Sequence, residues 1–535
     1  VSNVKDQRVT APQVSGYSEA GASHTRRALK GFIPQSGSPV DDIDRNNGTL
    51  RQRARMLYMA APVATSAVNT NCTKVVGTGL TLKSTPDRAV LGISPEEAKE
   101  WGRKVEAEFK IWAGKKQNCD ALGVNDFFGL QDLALKTWLL SGDVFGLFKR
   151  YTPTVSNPYS LRIHLIEADR ISTPGVYGGY IGVTESRVPD GQPGAGNMIH
   201  DGVEVNSSGQ IVAYHICNLY PNQISTQKRE WKRVEAYGAK TGLPNVLHVM
   251  GTERCDQYRG VPYLAPVIEP LLQLRRYTES ELMAALVQSF FTAWIETETA
   301  QSGIPINEVG AGDIAGVPGS NPGEPQVSHS ENEYEMAPGT VIHLKPGEKI
   351  HFGNPNIPTA GFESFVKTLC KLMGAGLGIP YDVLIKEFDA SYSAARGALL
   401  EAWEEFKKRR VWLVNQFCQP AFETWLTEAV ARGRIKAPGF FDDPLIRSAW
   451  CNAVWIGPVQ GQLDPKKEAE AALTLASKGV KTHEMVTREL GGGDWETNVE
   501  QLHHEEELLD GLPGSNTPAP AVPVDPDGDP AGGSE

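Results

Sequence analysis

The chain has 535 residues, 40% of them hydrophobic and 22% charged, which is long enough to bury a large core and build several regions. Its longest apolar runs, such as Val411-Trp412-Leu413-Val414, fall far short of the roughly 18 to 20 residues of a membrane-spanning helix, so no membrane contact is expected. A formal net charge of −12 argues against a surface that grips nucleic acid broadly, because tight phosphate binding comes from clustered Lys and Arg.

The N-terminal VSNVKDQRVTAPQ lacks the basic start and apolar run of an export signal. Cys72, Cys119, Cys217, Cys255, Cys370, Cys418 and Cys451 are scattered, odd in number and without a C-x-x-C pair. They are expected to be reduced core thiols of a protein assembled in the cytoplasm.

Residues 1–40 are polar and punctuated by Gly, Ser and Pro, with basic residues at Arg26, Arg27 and Lys30, and read as a flexible arm. From Asp41 to Thr73 the spacing predicts helix, ending at Val75-Val76-Gly77-Thr78-Gly79-Leu80 in a strand or turn. Ser94-Pro95-Glu96-Glu97 predicts a helix start, followed by a stripe of Trp101, Val105, Phe109 and Trp112. Between about 140 and 260, short β-like runs (Leu161–Ile166, Gly202–Val205, Ile211–Ile216, Val246–Val249) alternate with turns, which predicts an α+β region with a mainly antiparallel sheet.

After Gly260-Val261-Pro262 a helix is predicted from Ala265 to Thr297. Residues 301–340 are rich in Gly, Pro and Ser, and the strand-like pieces Val341–Leu344 and Glu348–Phe352 are expected to pair across Pro346-Gly347. A second helix, Gly361–Gly378, stops at Pro380. A third begins at Ala394, with Pro420 expected to kink it or end its first part. Residues 440–510 read as mostly helical, and the Pro/Gly/Asp-rich tail after 511 as disordered.

No G-x-S-x-G, H-E-x-x-H, G-x-x-x-x-G-K-[ST] or full G-x-G-x-x-G is present. Gly77-Thr78-Gly79 reads as a plain turn. Gly374, Gly376 and Gly378 read as a helix terminus rather than a phosphate cradle. Adjacent histidines on a helix diverge by about 100°, so His503-His504 with Glu505-Glu506-Glu507 reads as a solvated face rather than a metal cluster. Lys407-Lys408-Arg409-Arg410 has two open readings, nucleic-acid contact or pairing with Glu401, Glu404 and Glu405.

Several segments in order resemble the lambda-type phage portal family. They are the Arg-rich helix before VVGTGL (75–80), SGDVF (141–145), LIEADRIS (165–172), HVMGTERCDQYRGVPYLAPVI (248–268), HLKPGEKIHFGNPN (343–356) and GLGIPYDVLIKEFDASYSAARGALLEAWEEFKKRR (376–410). The resemblance implies the portal fold, with an α+β wing at 41–264 and a stem of two helices at 265–297 and 358–378. A loop-rich clip with short strands (298–357), a tunnel loop (379–393), a long wing helix (394–439) and a helical crown (440–510) complete it, and 511–535 is a tail. It implies a non-enzymatic homo-oligomeric ring of about 12 subunits at one capsid vertex of the virion. Its implied partners are the major capsid protein, the terminase large subunit, a head-tail adaptor and the double-stranded DNA passing through. No catalytic, cofactor or metal residue is carried over. A capsid-associated hydrolase would need a nucleophile and base in a recognisable setting; an adaptor or scaffold protein is the nearer alternative.

On the second stem helix, Phe362, Phe365, Val366, Leu369, Leu372 and Met373 are expected to face the first. Glu363, Lys367 and Lys371 share another face, which is either a solvated stripe or, in a ring, the channel wall. Lys367, Lys371 and Lys386, with the aromatics Phe388 and Tyr392, are therefore the candidate DNA contacts.

Overall fold

The computed structural model describes residues 21–23, 26–175, 184–289, 293–297, 348–352, 361–387, 392–461, 465–491 and 493–510. The chain is mixed helix and sheet, and it divides into two compact units. One is residues 1–51, 141–148 and 164–262; the other is 52–140, 149–163 and 263–535.

The first unit is built on antiparallel sheet. Glu185–Arg187, Met198–His200, Val203–Val205, Ile211–Cys217 and Trp231–Glu235 form a five-stranded meander in chain order. The strand Asp143–Arg150 lies between Leu161–Glu167 and Val246–Met250, antiparallel to the latter. Phe145, Ile166, Ile171, Val203, Tyr214, Ile216 and Val246 close the core between these strands. All four β-like runs of the sequence contain strands, because they are rich in β-branched and aromatic residues and Gly or Asn supplies the turns between them.

The long helix predicted from Asp41 is broken before Pro62–Val75 of the second unit. Arg45–Ala60 and Pro62–Val75 are separate helices, since Ala61 precedes proline and is pushed to an extended φ of −118°. After the Gly77/Gly79 turn, Thr81–Ser84 pairs antiparallel with Ala453–Ile456. That second strand lies inside the stretch read as helical; four residues flanked by helices give too short an alternation to register. Ser94 caps Pro95–Ala113 with a capping box to Glu97. The predicted stripe of that helix enters an aromatic core, with Phe109 edge-on to Trp425 at 5.0 Å and Phe127 stacked on Phe417 at 5.8 Å.

The helix after Pro262 is shorter than its periodicity suggests. It covers Ile268–Ser289, and Ala293–Thr297 is instead a strand, antiparallel to Glu348–Phe352. The expected partner Val341–Leu344 lies outside the described residues. Phe362–Leu377 forms the next helix and Tyr381–Ile385 a single turn. The long helix starts at Tyr392, and Val414–Cys418 takes π-type turns before Gln419–Ala431 continues with Pro420 in its first turn. The wider turns absorb the proline's missing N–H without breaking the rod. At the end of the chain, Trp495–Asp510 is tied to Pro95–Ala113 by Lys99 and Arg103, at 3.1 and 2.5 Å from Glu500.

Six cysteines are buried; Cys255 is exposed, which departs from the core-thiol expectation.

Candidate functional site

The candidate DNA contacts begin on the helix Phe362–Leu377. Its apolar face touches the helix Ile268–Ser289 through Tyr277, whose ring lies 5.3 Å from Phe362 and 5.2 Å from Phe365. Met373 is buried, but the expected inward face is otherwise incomplete: Phe365 is 50% exposed and Leu372 65%. On the neighbouring helix Leu282 and Met283 are exposed as well. An amphipathic helix needs a partner for its whole apolar stripe, and the described residues of one chain supply only part of it.

Lys367 is not a free cation. Its ammonium sits 2.9 Å from Glu363 and 3.0 Å from Glu387. Hydrogen bonds to Glu363 and then Glu387 hold its pKa well above the ordinary lysine value. Glu387 also accepts from the Tyr381 hydroxyl at 2.6 Å, and desolvation followed by that bond pushes the phenol up to about 12. Lys371 lies over the Tyr381 ring at 5.7 Å. Lys386, exposed, ends the single turn Tyr381–Ile385 in the left-handed conformation with φ 60°. The structure therefore gathers Lys367 and Lys371 around Tyr381 and Glu387. Phe388 lies outside the described residues, as does the side chain of Tyr392, the first residue of the long helix.

Glu387 and Tyr381 escaped the sequence reading because the chain reverses between them and the lysines. Gly378 at φ 64° caps the helix, and a Cβ at Gly374 would lie 2.5 Å from the Ile379 carbonyl. The Leu377 carbonyl accepts from Tyr263 Oη at 2.5 Å and from Arg409 at 3.1 Å. Ser66 Oγ donates to the Leu384 carbonyl at 2.6 Å.

Those contacts also decide the Lys407-Lys408-Arg409-Arg410 run. Lys407 is 3.1 Å from Glu404, and Lys408 and Arg409 are 3.9 and 3.8 Å from Glu405. Arg409 further bonds Asn71, and Arg410 donates to the carbonyls of Val75 at 2.9 Å and Lys74 at 2.8 Å. The two arginines cap the ends of Phe362–Leu377 and Pro62–Val75, where unpaired carbonyls and the helix dipole favour a cation. His503, by contrast, is an exposed histidine 3.7 Å from Glu506, and among the described residues no group of His, Cys, Asp and Glu is placed to hold a metal.

In the first unit, four of the segments that carry the family resemblance meet at one buried guanidinium. Arg259, from CDQYRGVP, is fully buried and donates to Asp143 Oδ2 of SGDVF at 2.6 Å. It also donates to the carbonyls of Ala168 and Ile171 of LIEADRIS at 2.9 and 3.0 Å, and to Asp201 Oδ2 at 2.6 Å. Arg51, from the Arg-rich helix, adds bonds to the Ser141 carbonyl at 3.0 Å and to Asp143 Oδ1 at 3.5 Å. Burial alone would raise the Asp143 carboxyl, but Arg259 and then Arg51 outweigh it and hold it far below the carboxylate range. The motifs were visible in the sequence; nothing in their spacing says that they converge. This centre offers no open face for a substrate; its chemistry is the fixing of strands.

A sequence profile described as "Phage portal protein, lambda family" matches residues 25–410. Portal protein B of Escherichia phage lambda is 26% identical over 493 residues, 89% of this chain and 84% of its own length. The portal protein of Escherichia phage N15 is 25% identical over 536 residues, 96% of this chain and 94% of its own. Among solved structures, a chain of the "Neck of empty GTA particle computed with C6 symmetry" aligns with TM-score 0.42 at 14% identity, covering 87% of this chain and 97% of that one. A chain of the "Neck of native GTA particle computed with C12 symmetry" gives 0.40 at 13%, covering 84% and 94%. With the profile spanning most of the chain and the sequence relatives named as portal proteins, this chain belongs to the lambda family of phage portal proteins, structural proteins of the virion.

Proposed function

We propose that the chain is one subunit of a closed ring of about 12 copies at a capsid vertex, through which double-stranded DNA is packaged and ejected. The ring would contact the major capsid protein, dock the terminase large subunit during packaging, and later receive the head-tail adaptor and tail. It would perform no catalysis itself.

The observation that carries this reading is the pair of helices Ile268–Ser289 and Phe362–Leu377. Leu282 and Met283 on one and Phe365 and Leu372 on the other are left exposed. Two different apolar faces on one subunit fit a heterologous contact, the kind that closes into a ring. Mass measurement and negative-stain imaging of the purified full chain test it. A ring-sized particle is the expected result; a stable monomer or dimer across salt concentrations would overturn it, and a ring without a through-channel would favour an adaptor or scaffold.

Within that ring the channel contacts narrow to Lys371 and Lys386, since neither has a carboxylate partner among the described residues, whereas Lys367 bridges Glu363 and Glu387. Sparse cations in a protein of net charge −12 would attract phosphate weakly without stopping it from sliding. Changing Lys371 and Lys386 to glutamate should reduce DNA retained per assembled head, and adding Lys367→Glu should add little. Unchanged retention in the double variant with normal rings would refute the channel assignment and leave the ring standing.

A further inference from the structure

The charge balance around Arg259 is uneven. Arg51 and Arg259 supply two positive charges. Against them stand the carboxyls of Asp143 and Asp201, and beside these the carboxyl of Asp44. His248, whose Nε2 lies 3.5 Å from Asp143 Oδ2, adds no positive charge near neutrality, because burial lowers its pKa. Three ionised carboxyls facing two guanidiniums would leave one buried negative charge without a counterion.

Asp44 differs from the other two. Asp143 and Asp201 each accept from both arginines. Asp44 is 4% exposed, and its Oδ2 has no hydrogen-bond partner. Asn47, fully buried one turn further along, presents a second unpartnered acceptor. Its amide nitrogen donates to the Gly260 carbonyl at 3.1 Å, which fixes the orientation and leaves Asn47 Oδ1 as an acceptor with no donor. Positions i and i+3 are neighbours on a helix face. Two lone acceptors there are repulsive, whereas one acceptor and one O–H are complementary.

We propose that Asp44 is a buried proton-binding site: in its acid form the O–H supplies the donor that Asn47 lacks and the cluster becomes neutral, and proton release is a pH-sensitive switch at the start of the helix Arg45–Ala60. The groups facing it are Asp201, Arg259, Arg51 and Asp143, with His248 behind Asp143. Burial, then the Asp201 charge, raises the Asp44 carboxyl to about 7. Burial also pushes Asp201 upward, but both arginines donate to it directly and its side chain is 17% exposed, so the proton goes to Asp44. Because the folded pKa lies above the unfolded value, the stabilisation is complete below about 4 and is lost as pH rises through about 7. The proton exchanges with water alone; no bond between heavy atoms changes.

The full-length protein tests this in two ways. Infrared difference spectra between about pH 5 and about pH 8 should show a protonated-carboxyl carbonyl stretch at the lower pH that is missing in Asp44→Asn. In thermal melts Asp44→Asn, a neutral isostere that also offers an N–H to Asn47, should melt slightly higher than the wild type at the lower pH, where the unfolded Asp44 carboxyl is already ionised, and several degrees higher at the upper one. The proposal is overturned if the band persists in Asp44→Asn or is missing from the wild type. The second outcome would mean that a buried water donates to both acceptors and Asp44 stays ionised. Asp44→Asn failing to fold, or melting lower at both pH values, would overturn it equally, since a neutral side chain of that shape should fit.

Discussion

Arg259 in the first unit and Arg410 in the second both turn their guanidiniums away from bulk water, yet they are held by different means. Arg259 is fully buried and neutralised by the carboxylates of Asp143 and Asp201. Arg410 is half-buried, takes the carbonyls that end a helix, and lies 5.4 Å from the ring of Trp403. Burial lowers its pKa. A carboxylate partner balances a full charge and leaves a full charge behind when broken; a helix end offers about half a charge and two carbonyls that water can partly reach. The first arrangement fixes strands at a high cost of failure, and the second joins helices at a lower one.

That contrast orders the expected effects of substitution. Arg259→Met should be the most damaging, about 3–5 kcal/mol, because the buried carboxylates of Asp143 and Asp201 are left to share the single guanidinium of Arg51; limited proteolysis should then cut the first unit, and intact protection would break the comparison. Next comes acid sensitivity in the same unit. Glu204, fully buried, accepts from Arg233 at 2.7 and 2.9 Å and from Asn197 at 2.7 Å. Burial alone would raise its carboxyl, but these partners outweigh it and leave the pKa lowered. Its stabilisation is therefore present above about 4.5, the unfolded value, and lost as pH falls through the folded one. Glu204→Gln should be less stable than the wild type near neutral pH and approach it in acid melts. Arg410→Gln should cost about 1–3 kcal/mol through unpaired carbonyls, read as a lower melting midpoint. Lys407→Ala and Lys408→Ala, whose pairs with glutamate are exposed, should each stay within about 0.5 kcal/mol. If the two lysines proved as sensitive as Arg410, the capping account of this basic run would fail.

Helix existence, the four strand runs and the capping box at Ser94 were legible because each rests on local periodicity or cap chemistry. What stayed hidden was set by distant partners. Ala453–Ile456 is a strand because Thr81–Ser84 lies beside it, and Ala293–Thr297 because Glu348–Phe352 does; neither segment alone outweighs the helical pattern around it. The candidate site divides in the same way. The Lys367–Glu363 pair follows from i, i+4 spacing, whereas Glu387 reaches Lys367 only after the reversal at Gly378. Arg409 and Arg410 look alike in sequence to the lysines before them, and only the helix ends they meet separate structural cations from solvated ones.

The strand pair Ala293–Thr297 and Glu348–Phe352 has a consequence for how this chain can change in length. Its register sets Thr297 opposite Glu348, so the ends of whatever lies between are held side by side by main-chain bonds that do not depend on its sequence. Closing a flexible segment grows only with the logarithm of its length, about 0.6 kcal/mol for each doubling. A change in the number of residues between Thr297 and Glu348 should therefore leave the pairing of these two strands in place.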